Sequence, residues 1–262
     1  MNALRAAVLR GARATPRPGS AARSARPGDG FVFAQLREYV EGDDPRRIDH
    51  AATARAGGLQ TRVYLEETAL VLAAIADESR SMSVGRTRAL ATAADEALRA
   101  WFGALEGGDL AARIVDERVV RDRRAAALVR AARPFRLERS LTIALRALPR
   151  GASLLLVTDG FEPLDDVLVA RAGLRFDATV LLARDPWHDA LPLRGFVRMR
   201  DAESGRAHVV FVGARARRRY HAATRGREDA LRTRFRNAGW RVGNLDERDG
   251  RASVMRAFGL PA

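Results

Sequence analysis

Cysteine is absent from the 262 residues, which excludes disulfides, zinc–thiolate centres and thiol nucleophiles. Lysine is absent as well. All 46 basic residues are arginine, so no Schiff-base lysine and no P-loop lysine can exist. Aromatic residues make up only 6% of the chain. No apolar run approaches the roughly 20 residues that a membrane-spanning helix needs. Nucleophile-elbow and His-Glu-x-x-His patterns are missing too. The four histidines, His50, His188, His208 and His221, share no ligand spacing, so each reads as a packing or surface residue.

The formal net charge of +14 invites a nucleic-acid reading. Its all-arginine origin, with abundant alanine, fits a GC-rich coding bias equally well. Part of the excess lies in Arg5, Arg10, Arg13, Arg17, Arg23 and Arg26, ahead of the first acid at Asp29. A second cluster is Arg215-Ala216-Arg217-Arg218-Arg219, and no aromatic platform accompanies it. Arg-driven nucleic-acid binding therefore stands as an alternative function. Residues 1–27 lack the continuous apolar block of a secretory signal. The expectation is a disordered Arg-rich tail over 1–30 on a soluble, cytoplasmic protein, the tail being a candidate contact to an anionic membrane surface.

Residues 31–63 are dense in charge and turn residues, broken at Glu41-Gly42-Asp43-Asp44-Pro45. Beyond them, short apolar runs alternate with helical periodicity. The pattern predicts strands over 69–76, 110–115, 152–158, 176–183 and 240–245. Helices are predicted over 87–105, 121–132, 140–148, 164–174, 217–238 and 252–258. Runs 196–200 and 207–212 flank Asp201-Ala202-Glu203-Ser204-Gly205-Arg206 and read as a β-hairpin. Alternating strands and helices imply an α/β fold, a mainly parallel Rossmann-like sheet with helices on both faces.

The first buried run, Ala69 to Ala76, ends in Asp77-Glu78-Ser79-Arg80-Ser81. Hard oxygens, few in number and leaving room for water, suit Mg²⁺ or Mn²⁺. A plainer account is a Ser-rich helix cap with Asp77 satisfying backbone donors. The apolar run 152–158 also ends in an acid, Asp159, which could instead cap the helix near Leu164. Ligands of open α/β sheets gather at the carboxyl ends of strands. Two such acids at two buried strand ends are therefore expected to act together with Ser79 and Ser81.

Asp77-x-Ser79-x-Ser81 followed by Thr158-Asp159-Gly160 resembles the von Willebrand factor A fold and its metal-ion-dependent adhesion site. Upstream, Leu36-Arg37-Glu38-Tyr39-Val40-Glu41-Gly42-Asp43-Asp44-Pro45-Arg46-Arg47-Ile48-Asp49-His50, then Thr53-Ala54-Arg55, is similar to the signature of the bacterial "domain of unknown function 58". The resemblance covers 31 to the C-terminus. It implies a family-signature segment at 31–66 packing on a von Willebrand A-like domain at 67–262. It also implies a divalent metal on Asp77, Ser79, Ser81 and Asp159. His50 stands where the family usually has tryptophan. Arg139 stands where the family has its third ligand, a threonine. Either Ser140 or Thr142 supplies that hydroxyl, or the Arg139 guanidinium fills the cavity as a substitute cation.

The dense charges Arg37, Glu38, Asp43, Asp44, Arg46, Arg47, Asp49 and Arg55 are expected to form a buried ion-pair network fixing this segment; a ligand surface is the alternative. The leading function is a non-enzymatic, metal-dependent protein-interaction module, whose open metal position takes a partner's carboxylate. The resemblance implies a chaperone or assembly role with a MoxR-type AAA+ ATPase. A metal-dependent phosphohydrolase is the enzymatic alternative, although no general base stands at recognisable spacing.

Overall fold

The structure, a computed structural model, describes residues 3–14, 27–65, 70–129, 134–188, 191–202 and 204–261. The chain divides into two compact units: Met1–Ala14 with Leu70–Ala262, and Thr15–Ala69.

The smaller unit pairs β1 (Pro27–Glu38) antiparallel with β2 (Gln60–Leu65). Between them lie a 3-10 turn (Pro45–Arg47) and helix α2 (His50–Ala56). Acids of the signature segment organise these turns. Asp44 accepts from the Arg46 N–H, and Asp49 caps α2 by accepting from the Ala52 N–H. Asp43 bonds Arg37 at 2.6 Å, and Asp49 bonds Arg62 at 2.9 Å. The expected network thus exists in part, but it is half-exposed rather than buried. Its carboxylates serve as turn and helix caps, which brings them to element ends where solvent reaches. His50, at the first position of α2, is exposed.

The larger unit is built on a six-stranded sheet of order β10-β7-β6-β3-β4-β5. Its strands are β3 (Val71–Ala76), β4 (Leu110–Val115), β5 (Arg118–Val120), β6 (Ser153–Thr158), β7 (Asp177–Ala183) and β10 (Arg241–Leu245). Only β5 runs antiparallel, paired on β4. Alternation along β3 shows why the run is apolar throughout. Leu72, Ala74 and Ala76 face a core shared with α1 (Ala3–Ala14), α3 (Leu90–Gly103) and α8 (Gly250–Ala257). Val71, Ala73 and Ile75 face the opposite core, with α5 (Leu137–Ala147), α6 (Asp166–Arg175) and Phe235 of α7 (Ala214–Asn237). A short α4 (Arg123–Leu128) follows β5, and β8 (Gly195–Arg200) pairs with β9 (Ala207–Val212) as the expected hairpin. Among the described residues, no helix is long and apolar enough to cross a membrane.

One expectation is corrected. Part of the stretch read as a disordered tail is helix α1, with Leu4 at 2% exposure and Val8 fully buried. Leu4 and Val8 lie four apart, on one helix face. The Arg5 guanidinium bonds Asp109 through two nitrogens, at 2.7 and 3.1 Å. Arg17, Arg23 and Arg26 lie outside the described residues.

Candidate metal centre

From β3 the chain passes to α3 on one face of the sheet, and from β6 to α6 on the other. Adjacent parallel strands whose connections diverge leave a crevice at their carboxyl ends. Asp77 and Asp159 are the first residues past β3 and β6, so the topology brings the two expected acids to that crevice.

Both acids are buried, Asp77 at 1% and Asp159 at 5% exposure. The Asp77 N–H extends the ladder to the Val157 carbonyl at 2.8 Å. One Asp77 carboxylate oxygen accepts from the Ser79 N–H at 2.9 Å, the other from the Thr158 hydroxyl at 2.8 Å. Thr158 in turn accepts from the Gly160 N–H at 2.9 Å. The Ser79 and Ser81 hydroxyl oxygens lie 2.9 Å apart. Ser79 precedes the 3-10 turn Arg80–Ser83 yet makes no side-chain cap bond, so the helix-cap account does not explain its hydroxyl. Asp159 accepts from the Phe161 N–H at 2.9 Å, while Asp165 is the residue that caps α6.

Burial pushes the Asp77 carboxyl above the usual carboxylate range, and the neighbouring charge of Asp159 adds to this. Hydrogen bonds from Ser79 and Thr158 pull the other way without prevailing. Two desolvated carboxylates beside two hydroxyls form an all-oxygen set that fits Mg²⁺ or Mn²⁺ in chemistry. Among the described residues, no three His, Cys, Asp or Glu side chains converge on a common point.

The third-ligand alternatives separate. Arg139 does not fill the crevice, because its guanidinium is exposed and bonds Glu117 at 2.7 Å. A nearby carboxylate in water is a cheaper partner than a buried cavity. The Thr142 hydroxyl donates to the Glu138 carbonyl one turn back in α5, at 2.8 Å. Ser140 is buried and borders a hollow of about 310 Å³ with Ala76, Glu78 and Arg139. Ser81 and Asp159 border a separate hollow of about 280 Å³, with Phe161, Leu182 and Arg227. Ser140 and Asp159 thus border different hollows.

Two arginines of the site escaped the sequence reading. Arg113 sits in β4, its side chain 2% exposed, and bonds Glu78 at 2.7 Å. A charge inside the apolar run Leu110 to Val115 was the available signal. Arg227 comes from α7, donates to the Asp159 carbonyl, and lies over the Phe161 ring with 3.2 Å to its centroid. Burial holds its pKa below the usual arginine value, against the charges of Asp159 and Asp185. Nothing local marks it among the many arginines of that helix.

Residues 35–230 match the family model described as "Protein of unknown function DUF58". The chain belongs to the DUF58 family. The match takes in the Asp77 and Asp159 strand ends, the hairpin and most of α7. A comparison with functionally curated proteins gives no match. Among solved structures, this DUF58 protein is similar to an aerotolerance-related membrane protein from Bacteroides fragilis NCTC 9343 carrying multiple mutations to serines. The two share 14% identity with a TM-score of 0.45, over 73% of this chain and 99% of that one. It is also similar to the conserved hypothetical protein BatB from Bacteroides thetaiotaomicron. There the identity is 15% and the TM-score 0.42, over 73% of this chain and 98% of the other.

Proposed function

We propose that this DUF58 protein is a metal-dependent protein-interaction module rather than an enzyme. The observation that supports it is the pair Asp77 and Asp159, buried at adjacent strand ends, where burial foremost and the Asp159 charge besides raise the Asp77 pKa. Two desolvated carboxylates are costly without a cation. Asp77, Ser79, Ser81 and Asp159 would hold Mg²⁺ or Mn²⁺, in a von Willebrand A-like adhesion site, with Ser140 the remaining hydroxyl candidate. When bound, the ion supplies a coordination position for a carboxylate of the partner protein. Thr158 keeps the Asp77 carboxylate oriented, and Arg227 braces the Asp159 backbone.

By family resemblance the partner is a MoxR-type AAA+ ATPase, and the role is assembly or chaperone-like. The test is a pull-down with a MoxR-type ATPase, in Mg²⁺ and in chelator, comparing wild type with Asp77→Ala. Capture that requires both Mg²⁺ and Asp77 supports the reading. Capture unaffected by chelator and by the substitution would overturn it, as would no capture under any condition.

A further inference from the structure

The β8–β9 ribbon carries a surface that the metal centre leaves unused. Phe196 is 82% exposed, Val209 68% and Phe211 62%. Phe196 faces Phe211 across the ladder, Arg198 faces Val209, and Arg200 faces Ala207. Strand alternation therefore gathers all six side chains on one face. The two rings pack edge to face with centroids 5.2 Å apart, so they form a preassembled aromatic block. On the opposite face Val212 is buried, and Met199 at 43% and Val210 at 39% are less exposed than the two phenylalanines. The turn residues Asp201 and Ala202 border the hollow beside Asp159.

The charge around this face is predominantly positive. From 194 to 219 the sequence holds eight arginines against Asp201 and Glu203. Arg198 and Arg200 share the face with the phenylalanines, and Arg215, Arg218 and Arg219 stand exposed at the start of α7, directly after β9. Monomeric soluble proteins rarely leave such apolar groups together without a partner. A second copy of the chain would oppose arginine to arginine at this face. A bilayer rich in acidic headgroups meets both halves of the surface, taking the rings at the headgroup–acyl boundary and the guanidiniums at the phosphates.

We propose that the outward face of the β8–β9 ribbon, Phe196, Arg198, Arg200, Val209 and Phe211, docks the protein on an anionic phospholipid surface. The test is co-sedimentation of the full chain with vesicles of phosphatidylcholine alone and of phosphatidylcholine mixed with phosphatidylglycerol. Wild type binds the mixed vesicles and leaves the neutral ones, and added salt weakens binding. Phe196→Ser with Phe211→Ser lowers the partition coefficient at least tenfold with an unchanged thermal melt. Arg198→Gln and Arg200→Gln each lower it about fivefold and reduce the salt dependence.

A Phe196→Trp protein, whose probe needs no loss of binding to read, shows emission shifted to the blue and quenched by brominated lipid. Equal binding to neutral vesicles, or no binding to either kind, would overturn the proposal. So would anionic binding that survives the double serine variant, which would assign it to other arginines. A dimer abolished by Phe196→Ser, with no vesicle binding, would assign the face to self-association instead.

Discussion

The Thr158 hydroxyl donates to the Asp77 carboxylate at 2.8 Å, joining two strand ends that lie 81 positions apart in the chain. Thr158 is fully buried and also accepts from the Gly160 N–H, so it orders both loops of the crevice at once. Thr158→Val keeps the shape but leaves a buried carboxylate oxygen and a backbone N–H short of a partner. We expect a loss of about 1–3 kcal/mol in urea unfolding. Mg²⁺ affinity measured by calorimetry should weaken too, because the hydroxyl pulls the Asp77 pKa down and its removal favours the neutral acid. Unchanged unfolding and unchanged affinity would contradict this role.

Asp77→Asn removes one of two crowded buried charges. In chelator the variant should be at least as stable as wild type, since the charge it loses is desolvated and repelled by Asp159. Wild type should gain about 2.7 kcal/mol when free Mg²⁺ reaches a hundredfold excess over its dissociation constant, and the variant should gain nothing. Thermal melts with and without Mg²⁺ read both effects.

The Glu78–Arg113 pair supports the loop from beneath. With Arg113 buried in β4, Glu78→Ala removes the carboxylate that its guanidinium bonds at 2.7 Å and should cost about 3–5 kcal/mol in urea unfolding. A cost under about 1 kcal/mol, typical of an exposed pair, would refute the buried role.

Asp109 gives the pH dependence. Burial pushes its carboxyl up, but Arg5 and the N–H groups of Glu106 and Leu70 outweigh that and hold it below the ordinary value. A folded pKa below the unfolded one contributes stability that is present above the unfolded value and lost as pH falls through the folded one. Asp109→Asn should therefore lose about 2 kcal/mol at neutral pH and show a flatter acid limb below the usual carboxylate range. Deleting residues 1–14 should destabilise the larger unit by a comparable or greater amount, because it uncovers the core around Leu4 and Val8. A truncated protein with an unaltered melt would return α1 to the status of a free tail.

The parallel sheet was legible because its central strands β3, β6 and β7 are largely apolar, buried runs, and β4 falls on the predicted 110–115. Strand β5 was missed: it is only three residues long and exists by pairing with β4. Helix α1 was missed because Arg and Ala repeat through it, and composition masked the spacing of Leu4 and Val8. Asp77, Ser79, Ser81 and Asp159 were legible as motifs, since each belongs to a local string. Of the alternatives at the third-ligand position, the Arg139 guanidinium goes to Glu117, because alignment position does not say where a long side chain finds its cheapest counter-ion.

By itself the sequence determined the alternation of elements, the two acidic strand ends and the family signature, all of which follow from local periodicity and short spacings. The tertiary structure decided what chain distance conceals. It joined Thr158 to Asp77, brought Arg227 across 68 positions to the Asp159 carbonyl, and buried Arg113 beside Glu78. These pairings depend on strand order and on which face each crossover takes, and burial then made their charges matter.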